Sequence, residues 1–291
     1  MKNWKPRWKT YAVLDMTGAF FKIRRKIWAF YVRDFEIAMT FRFKLLQDLL
    51  RISGLLFSFF FIGKVVGAAH DSQLLSAYGG DYFRFVLLGI AVSGFMSASL
   101  STITRIISTE RAQGTLEAIL LTPTTLSSLL VGKTMWEISI TAVKICCYLL
   151  FGMLILGMEI PQANPWSALP TAFLIVTTFL GLGMMSAAFN LITREASPVE
   201  MLLNWGSQFF GGVYFPVAVL PVLLQKMSAF LPLTCALEAM RKSLIHGAGC
   251  GDLKRELMVL SICTAVFLPL GLMTFKQALR KAKQQGTLGF S

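Results

Sequence analysis

Few residues of this 291-residue chain have the chemistry that an enzyme needs. Its only histidines are His70 and His246, and no H-E-x-x-H pair is present to bind zinc. Asp81 lies near the start of an apolar segment, but no second intramembrane aspartate is available to share its proton, as an aspartyl dyad requires. The sequence therefore gives no support for an intramembrane protease of either kind.

Gly132-Lys133-Thr134 has the form of the last three residues of a phosphate-binding P-loop. The full signature needs a glycine five positions before Gly132, where this chain has Ser127, and it follows a strand, whereas these residues open a long apolar segment. We therefore predict that the chain itself binds no nucleotide, metal or other cofactor.

Charged residues within the apolar segments are informative, because a charge inside a membrane is costly. Lys64 lies late in the first apolar segment, and Lys133, Glu137 and Lys144 lie in the third. Lys133 and Glu137 are four residues apart, so they are predicted to pair on one helix face, although Lys133 could instead extend to the membrane surface. For Lys144, a structural ion pair and a role at a cavity or subunit interface both remain open.

The composition is that of a membrane protein. Of all residues 55% are hydrophobic and 15% are charged, and the mean hydropathy is +0.63, whereas soluble domains have about 25% charged residues. The apolar segments are long enough for helices, and none alternates with period two as a barrel strand does. We predict an all-α polytopic membrane protein with a six-helix domain over 49–276, whose spans are 49–69, 83–107, 127–158, 168–192, 199–220 and 256–276.

The basic residues are concentrated near the start of the chain. The net charge is +13, and eleven of the 28 Lys and Arg residues precede residue 45, a distribution that favours a membrane surface over nucleic acid. After a tail at 1–21, apolar residues recur every three or four positions over 22–48, with Arg33, Asp34 and Arg42 between them. This pattern predicts an amphipathic helix on the inner surface of the membrane, in contact with its lipids.

The distribution of positive charge also predicts the orientation. The first two outer loops contain no Lys or Arg, so both termini, including a tail at 277–291, are expected in the cytoplasm. Residues 216–250 are then outside, and Pro216, Pro221 and Pro232 divide them into short helices. Cys235 and Cys250 would share that side, where a disulfide between them remains open.

The loop at 108–123, between the second and third spans, has the signals of a short helix. Gly114 permits a break, Thr115 can cap a helix, and Pro123 ends it after Thr122. Such a helix would present Glu110, Arg111 and Glu117 to the cytosol, where another protein could bind.

These features together resemble the type-2 ABC transporter permeases, which include polysaccharide and drug exporters of bacteria. The resemblance covers about residues 25–280. It is carried by Glu110-Arg111, Gly114-Thr115-Leu116-Glu117, Thr122-Pro123, Tyr214-Phe215-Pro216, Leu220-Pro221, Leu231-Pro232-Leu233-Thr234, Ala236-Leu237-Glu238-Ala239 and Arg241.

The resemblance implies a permease subunit in the bacterial plasma membrane, paired with an identical or different second permease subunit. Two separate cytosolic ATPases would bind ATP and Mg. The segment from Arg33 to Leu50 and the helix from Glu110 to Leu121 would dock on the ATPase, and helices within Pro216 to Gly247 would form an outer gate. Substrate could then be a lipid, a glycan or a drug.

The alternative from another class is a secondary carrier or channel that needs no ATPase. Carriers tend to have inverted repeats and interrupted helices. No convincing repeat relates the two halves of this chain, although Gly181-Leu182-Gly183 suggests some flexibility in the fourth span.

Overall fold

The computed structural model describes residues 19–40, 42–69, 82–114, 126–157, 163–193 and 198–284. Every regular element in these ranges is helical, which confirms the all-α prediction. The helices are α1 (Ala19–Thr40), α2 (Arg42–Ala69), α3 (Tyr82–Ala112), α4 (Leu126–Leu154), α5 (Pro165–Thr193), α6 (Pro198–Phe210), α7 (Val222–Ala229), α8 (Pro232–Ile245) and α9 (Lys254–Gln284).

Five of these helices, α2, α3, α4, α5 and α9, are long and apolar enough to cross a membrane. Prolines open α5, α6 and α8, where the missing N–H has no intrahelical partner in any case. The predicted fifth span is the exception, because α6 ends at Phe210, ten residues before its predicted end, and its 13 residues are about 20 Å long.

Two glycines end α6. The N–H of Gly211 still bonds to the carbonyl of Ser207, but Gly212 has a φ of +86°, which a residue with a Cβ atom rarely adopts. The chain then forms a 3₁₀ turn at Val217–Val219 and the helices α7 and α8, which meet at 81°. We call 211–245 the hairpin segment; it contains the short helices predicted for this part of the chain.

The other boundaries also differ from the sequence prediction. Of the single surface helix predicted over 22–48, residues 22–40 lie in α1, whereas residues from Arg42 onward belong to α2, the first span. At the other end, α9 continues to Gln284 instead of giving way to a tail at 277. Hydropathy locates the apolar part of each helix but does not show how far its polar ends continue.

Helix α3 is at the centre of the packing and lies against α5, which in turn packs closely against α9. A Cβ atom at Gly181 would lie 2.5 Å from the carbonyl carbon of Phe267, and one at Gly183 would lie 2.6 Å from the carbonyl oxygen of Leu100. These glycines therefore allow helix backbones to approach closely, as small residues do in membranes. The interpretation of Gly181 and Gly183 as a flexible point is wrong, because α5 is continuous through both.

The close approach at Gly181 predicts a stability effect. Gly181→Ala should destabilise the chain by about 1–3 kcal/mol, because the added methyl group meets backbone atoms that cannot move aside. Gly54→Ala is the matched control, because nothing lies within 4 Å of a Cβ atom at that position of α2. Thermal unfolding of both purified variants measures the difference, and equal midpoints would contradict the packing described.

Candidate functional site

Two ion pairs join the end of α3 to the start of α4. Lys133 Nζ donates to Glu110 Oε1 at 2.5 Å, with Glu110 only 4% exposed. Arg105 Nη2 lies 2.8 Å from Glu137 Oε2 in a more exposed pair. Since 110 pairs with 133 and 105 with 137, the two helices run antiparallel here.

These pairs correct two sequence predictions. Lys133 and Glu137 do not pair with each other along α4, because both face α3 and each has an opposite charge there. Glu110 is not presented to the cytosol as part of a docking helix, because it lies inside α3 and is buried against Lys133. The Glu110 carboxylate is therefore part of the packing of α3 against α4 and does not lie on an exposed loop.

Helix α1 packs on the same end of α4. A Cβ atom at Gly132 would lie 2.9 Å from both the carbonyl oxygen of Ile27 and the Cβ of Phe30. The ring of Trp136 meets the edges of Tyr31 and Phe35 at centroid distances of 5.4 and 5.7 Å. We call this unit, formed by α1, residues 105–112 of α3 and residues 126–137 of α4, the junction.

The remaining predicted coupling residues lie at or beyond the edge of the junction. Arg111 is in the last turn of α3, and Gly114, with a φ of +66°, ends the described part of this segment. Thr115, Leu116, Glu117, Thr122 and Pro123 lie outside the described residues. Arg33 and Asp34 form an exposed ion pair on α1 at 2.9 Å, and Arg42 opens α2.

The third charge on α4 pairs with α2. Lys144 Nζ lies 2.5 Å from Asp48 Oδ2, and both side chains are about a quarter exposed. Of the possibilities left open for Lys144, the structure therefore contains the ion pair. Asp48 was missed because it falls in the segment assigned to a surface helix. Lys64, on α2, has its Nζ 4.9 Å from the ring centroid of Phe60, a cation–π distance.

At the opposite end of α3, Arg241 of α8 contacts both the start of α3 and the residues that follow α6. Its Nη2 donates to the carbonyl oxygens of Gly212 at 2.9 Å and Phe85 at 3.1 Å, and the guanidinium lies 3.5 Å from the Phe85 ring centroid. Arg241 is 4% exposed. It thus supplies hydrogen-bond donors to carbonyl groups that lie after the end of α6 and near the start of α3.

The other predicted gate residues lie in the hairpin segment. Tyr214, Phe215 and Pro216 form the connection after α6, Pro221 precedes α7, and Pro232 opens α8. Glu238 is an exposed residue of α8. All five cysteines are free thiols, so Cys235 and Cys250 are not joined in this structure.

Comparison with known proteins identifies the family. The sequence model of the ABC-2 type transporter family matches residues 26–245, three quarters of the chain. The chain belongs to this family. The match includes α3, the hairpin segment and all of the junction except residues 19–25, and it confirms the resemblance seen in the sequence motifs.

Three curated relatives are consistent with the family match. Nodulation protein J of Sinorhizobium fredii (strain NBRC 101917 / NGR234) is 26% identical over 66% of this chain and 71% of its own length. Nodulation protein J of Rhizobium leguminosarum bv. viciae is 28% identical over 57% of this chain and 64% of its own. The linearmycin resistance permease protein LnrN of Bacillus subtilis (strain 168) is 28% identical over 45% of this chain and 33% of its own.

ABC-2 permeases are the membrane-spanning subunits of ABC transporters and work with a cytosolic ATPase. They are transporter components, not catalytic chains. Together with the apolar helices, the family makes this chain a multi-pass membrane protein.

The buried pair at the junction predicts strong coupling between Glu110 and Lys133. Glu110→Gln or Lys133→Gln alone should lower stability by about 3–5 kcal/mol, because each leaves a buried charge without its partner. The exchanged variant, Glu110→Lys with Lys133→Glu, should recover part of that loss. Asp34→Asn should change stability by less than about 1 kcal/mol, because the Arg33 side chain that it leaves without this partner is 45% exposed.

Thermal unfolding of the purified full-length variants checks this prediction. Additive effects of the two single changes, with no recovery in the exchanged variant, would show that the two side chains do not interact.

Loss of the Arg241 contact should change amide protection locally, in the residues whose carbonyl groups it binds, and should not destabilise the whole chain. Arg241→Met should leave the carbonyls of Gly212 and Phe85 without this donor and so speed amide hydrogen exchange over 211–216 and the first turns of α3. Arg255→Met is the control, because Arg255 is exposed on α9. Hydrogen exchange read by mass spectrometry measures it, and unchanged protection over 211–216 in Arg241→Met would contradict the role assigned to this residue.

Proposed function

We propose that this chain is the permease subunit of an ATP-driven exporter, which moves a lipid, glycan or drug-like substrate outward by alternating access. A separate ATPase binds ATP and Mg and supplies the energy. The chain works beside a second permease subunit, identical or different, in the bacterial inner membrane with both termini in the cytoplasm. The junction then faces the ATPase, and the hairpin segment faces the exterior.

One observation carries the proposal: a single uninterrupted helix, α3, joins the junction to the Arg241 contact. Glu110 is at one end of α3 and Phe85 is at the other, a separation of about 37 Å along the helix axis. Both are held by buried or half-buried charged contacts. A displacement at one end of such a rod is transmitted to the other.

The mechanism follows from this rigidity. Closure of the ATPase pair would push the junction, in which α1, α3 and α4 are packed together and move as one body. Because α3 carries the push to its far end, the Arg241 contact and the hairpin segment would shift with it. The chain would thereby change from inward-open to outward-open as a rigid-body transition between two packed states.

A carrier or channel that needs no ATPase is the second candidate. The observation that favours it is the 81° bend between α7 and α8, since interrupted helices occur at carrier binding sites. The two functions differ in their energy source, and this difference can be measured.

The proposal predicts that transport needs the ATPase and the segment after Gly114. Inside-out vesicles containing the chain and the ATPase that co-purifies with it should take up amphiphilic substrates only with ATP and Mg. Leu116→Asp and Glu117→Ala should reduce ATP-dependent uptake at least tenfold, because they alter the surface proposed to bind the ATPase, while membrane insertion remains normal. Lys281→Ala, an exposed charge on α9, is the control.

Uptake driven by an ion gradient in the absence of the ATPase would overturn the exporter proposal in favour of the carrier. Full uptake by both variants would show that the ATPase binds elsewhere.

A further inference from the structure

The contact between α2 and α4 contains more positive charge than negative. Lys144 of α4 donates to Asp48 of α2 with one of its three N–H groups. Arg51 is three residues after Asp48, so the two are neighbours on the surface of α2. Arg51 is exposed and forms no hydrogen bond or ion pair with any residue in the described ranges. We call Asp48, Arg51 and Lys144 the charge cluster; its two cations are balanced by only one carboxylate.

A buried hydroxyl group lies beside the charge cluster. Tyr148, four residues after Lys144 on α4, is 6% exposed, and its Oη has no hydrogen-bond partner in the part of the chain that the structure describes. It is close enough to Asp48 and Arg51 to interact electrostatically with both. A buried hydroxyl without a partner costs free energy. Because this group can donate a hydrogen bond and has no acceptor, it favours an additional anion nearby over an additional cation.

The charge cluster lies near one end of a membrane span. The apolar part of α2 is Leu46–Val65, and Arg51 is five residues from its start, about 8 Å along the helix axis. A charge exposed to hydrocarbon at this depth is costly. The long side chain of Arg can extend back towards the lipid headgroups. A counterion from the membrane surface would therefore stabilise Arg51.

The surroundings of the charge cluster are apolar and exposed. On α2, Leu50 is 65% exposed and Leu55 is 42% exposed, and on α4, Val143 is 56% exposed and Leu150 is 54% exposed. Apolar side chains exposed within a membrane span are stable against acyl chains. A ligand complementary to both the cluster and its surroundings has an anionic head and apolar tails.

The chemistry of the two cations indicates a phosphate group. The guanidinium of Arg binds phosphate through two parallel N–H groups, and the ammonium of Lys adds a point charge. Basic pockets between membrane helices on the cytoplasmic side bind anionic lipid headgroups in this way. A zwitterionic headgroup is less complementary, because its own cation would be repelled by Arg51 and Lys144.

We propose that the charge cluster binds the headgroup of an anionic phospholipid, such as phosphatidylglycerol, in the inner leaflet. The phosphate pairs with Arg51 and Lys144, and the acyl chains lie against the exposed apolar side chains of α2 and α4. The choice of leaflet rests on the orientation given in the proposed function. The binding itself needs neither the ATPase nor transport.

A binding experiment tests this proposal on the full-length chain in micelles of a neutral detergent, without ATPase or nucleotide. Native mass spectrometry counts the lipids bound as each probe is titrated. The probes are dioleoylphosphatidylglycerol, dioleoylphosphatidylcholine with the same acyl chains, and glycerol phosphate, which has a phosphate and no tails. We expect phosphatidylglycerol to bind about tenfold more tightly than either of the others, because only it combines net negative charge with acyl chains.

Variants locate the site. Arg51→Gln should weaken phosphatidylglycerol binding about tenfold and leave phosphatidylcholine binding unchanged, because it removes the charged donor. Arg51→Lys keeps the charge but loses the paired N–H geometry, so it should weaken binding by about threefold. Lys276→Gln, which removes the same charge from an exposed position on α9, is the matched control and should bind as the unaltered chain does. Thermal unfolding shows whether each variant is folded.

The outcomes separate this proposal from the exporter proposal. Equal affinity for the two phospholipids, unchanged affinity in Arg51→Gln, or an equal loss in Lys276→Gln would each overturn the lipid site. Glycerol phosphate that binds as tightly as phosphatidylglycerol would show a site for free phosphate and would also overturn it. Binding of phosphatidylglycerol that depends on Arg51, in a chain without ATP-dependent transport, would support the lipid site and contradict the exporter.

Discussion

The structure depends on one constraint: a charged side chain that packs between membrane helices needs an opposite charge there, because lipid supplies none. Helix α4 has three such groups in Lys133, Glu137 and Lys144. Each lies against an opposite charge, two of them on α3 and one on α2. These contacts fix how α2 and α3 lie against α4, and α1 adds apolar packing around Gly132 and Trp136. Only helices with complementary charges can occupy these positions.

Helix α3 connects the two sets of charged contacts at its ends. It is the most buried of the helices that could cross a membrane, it ends in the junction, and it begins at the Arg241 contact. Between the two, Ser97 of α3 donates a hydrogen bond to Asn204 of α6. A helix held at both ends can transmit a displacement from one end to the other without any hinge of its own. The glycines that bring α5 close to α3 and α9 increase the rigidity of its surroundings.

The sequence predicted the elements better than their contacts. Long apolar segments predicted the membrane helices, because hydropathy over about 20 residues is a local property. The early end of α6 was missed because residues 211–220 are as apolar as those before them, and the local turn signals are the glycine pair and Pro216. Glu110 was assigned to the surface because its partner is 23 positions away, and the rule for residues four apart favoured Glu137 as the partner of Lys133 instead. Spacing along one helix cannot show which neighbouring helix offers the better contact.

The polar contact between α3 and α6 could have been found in part from the sequence. Asn204 and Gln208 follow Glu200 at steps of four within an apolar segment, and Ser97 and Ser101 precede Arg105 at the same spacing. What the sequence could not give is that these two rows face one another, since that depends on how α3 and α6 pack. The family motifs, by contrast, were sufficient to place the chain in the family that the comparison identified.

The central claim is that the junction moves as one body and carries its motion to the hairpin segment. Pulsed electron resonance on a variant without the five native cysteines tests it most directly, with spin labels at Ala29 and Val131 for the junction and at Val131 and Val219 for the junction relative to the hairpin segment. These three positions are exposed. Trapping the assembled complex with ATP, Mg and vanadate should leave the first distance unchanged and shift the second. A change in the first distance with the second unaltered would contradict the account.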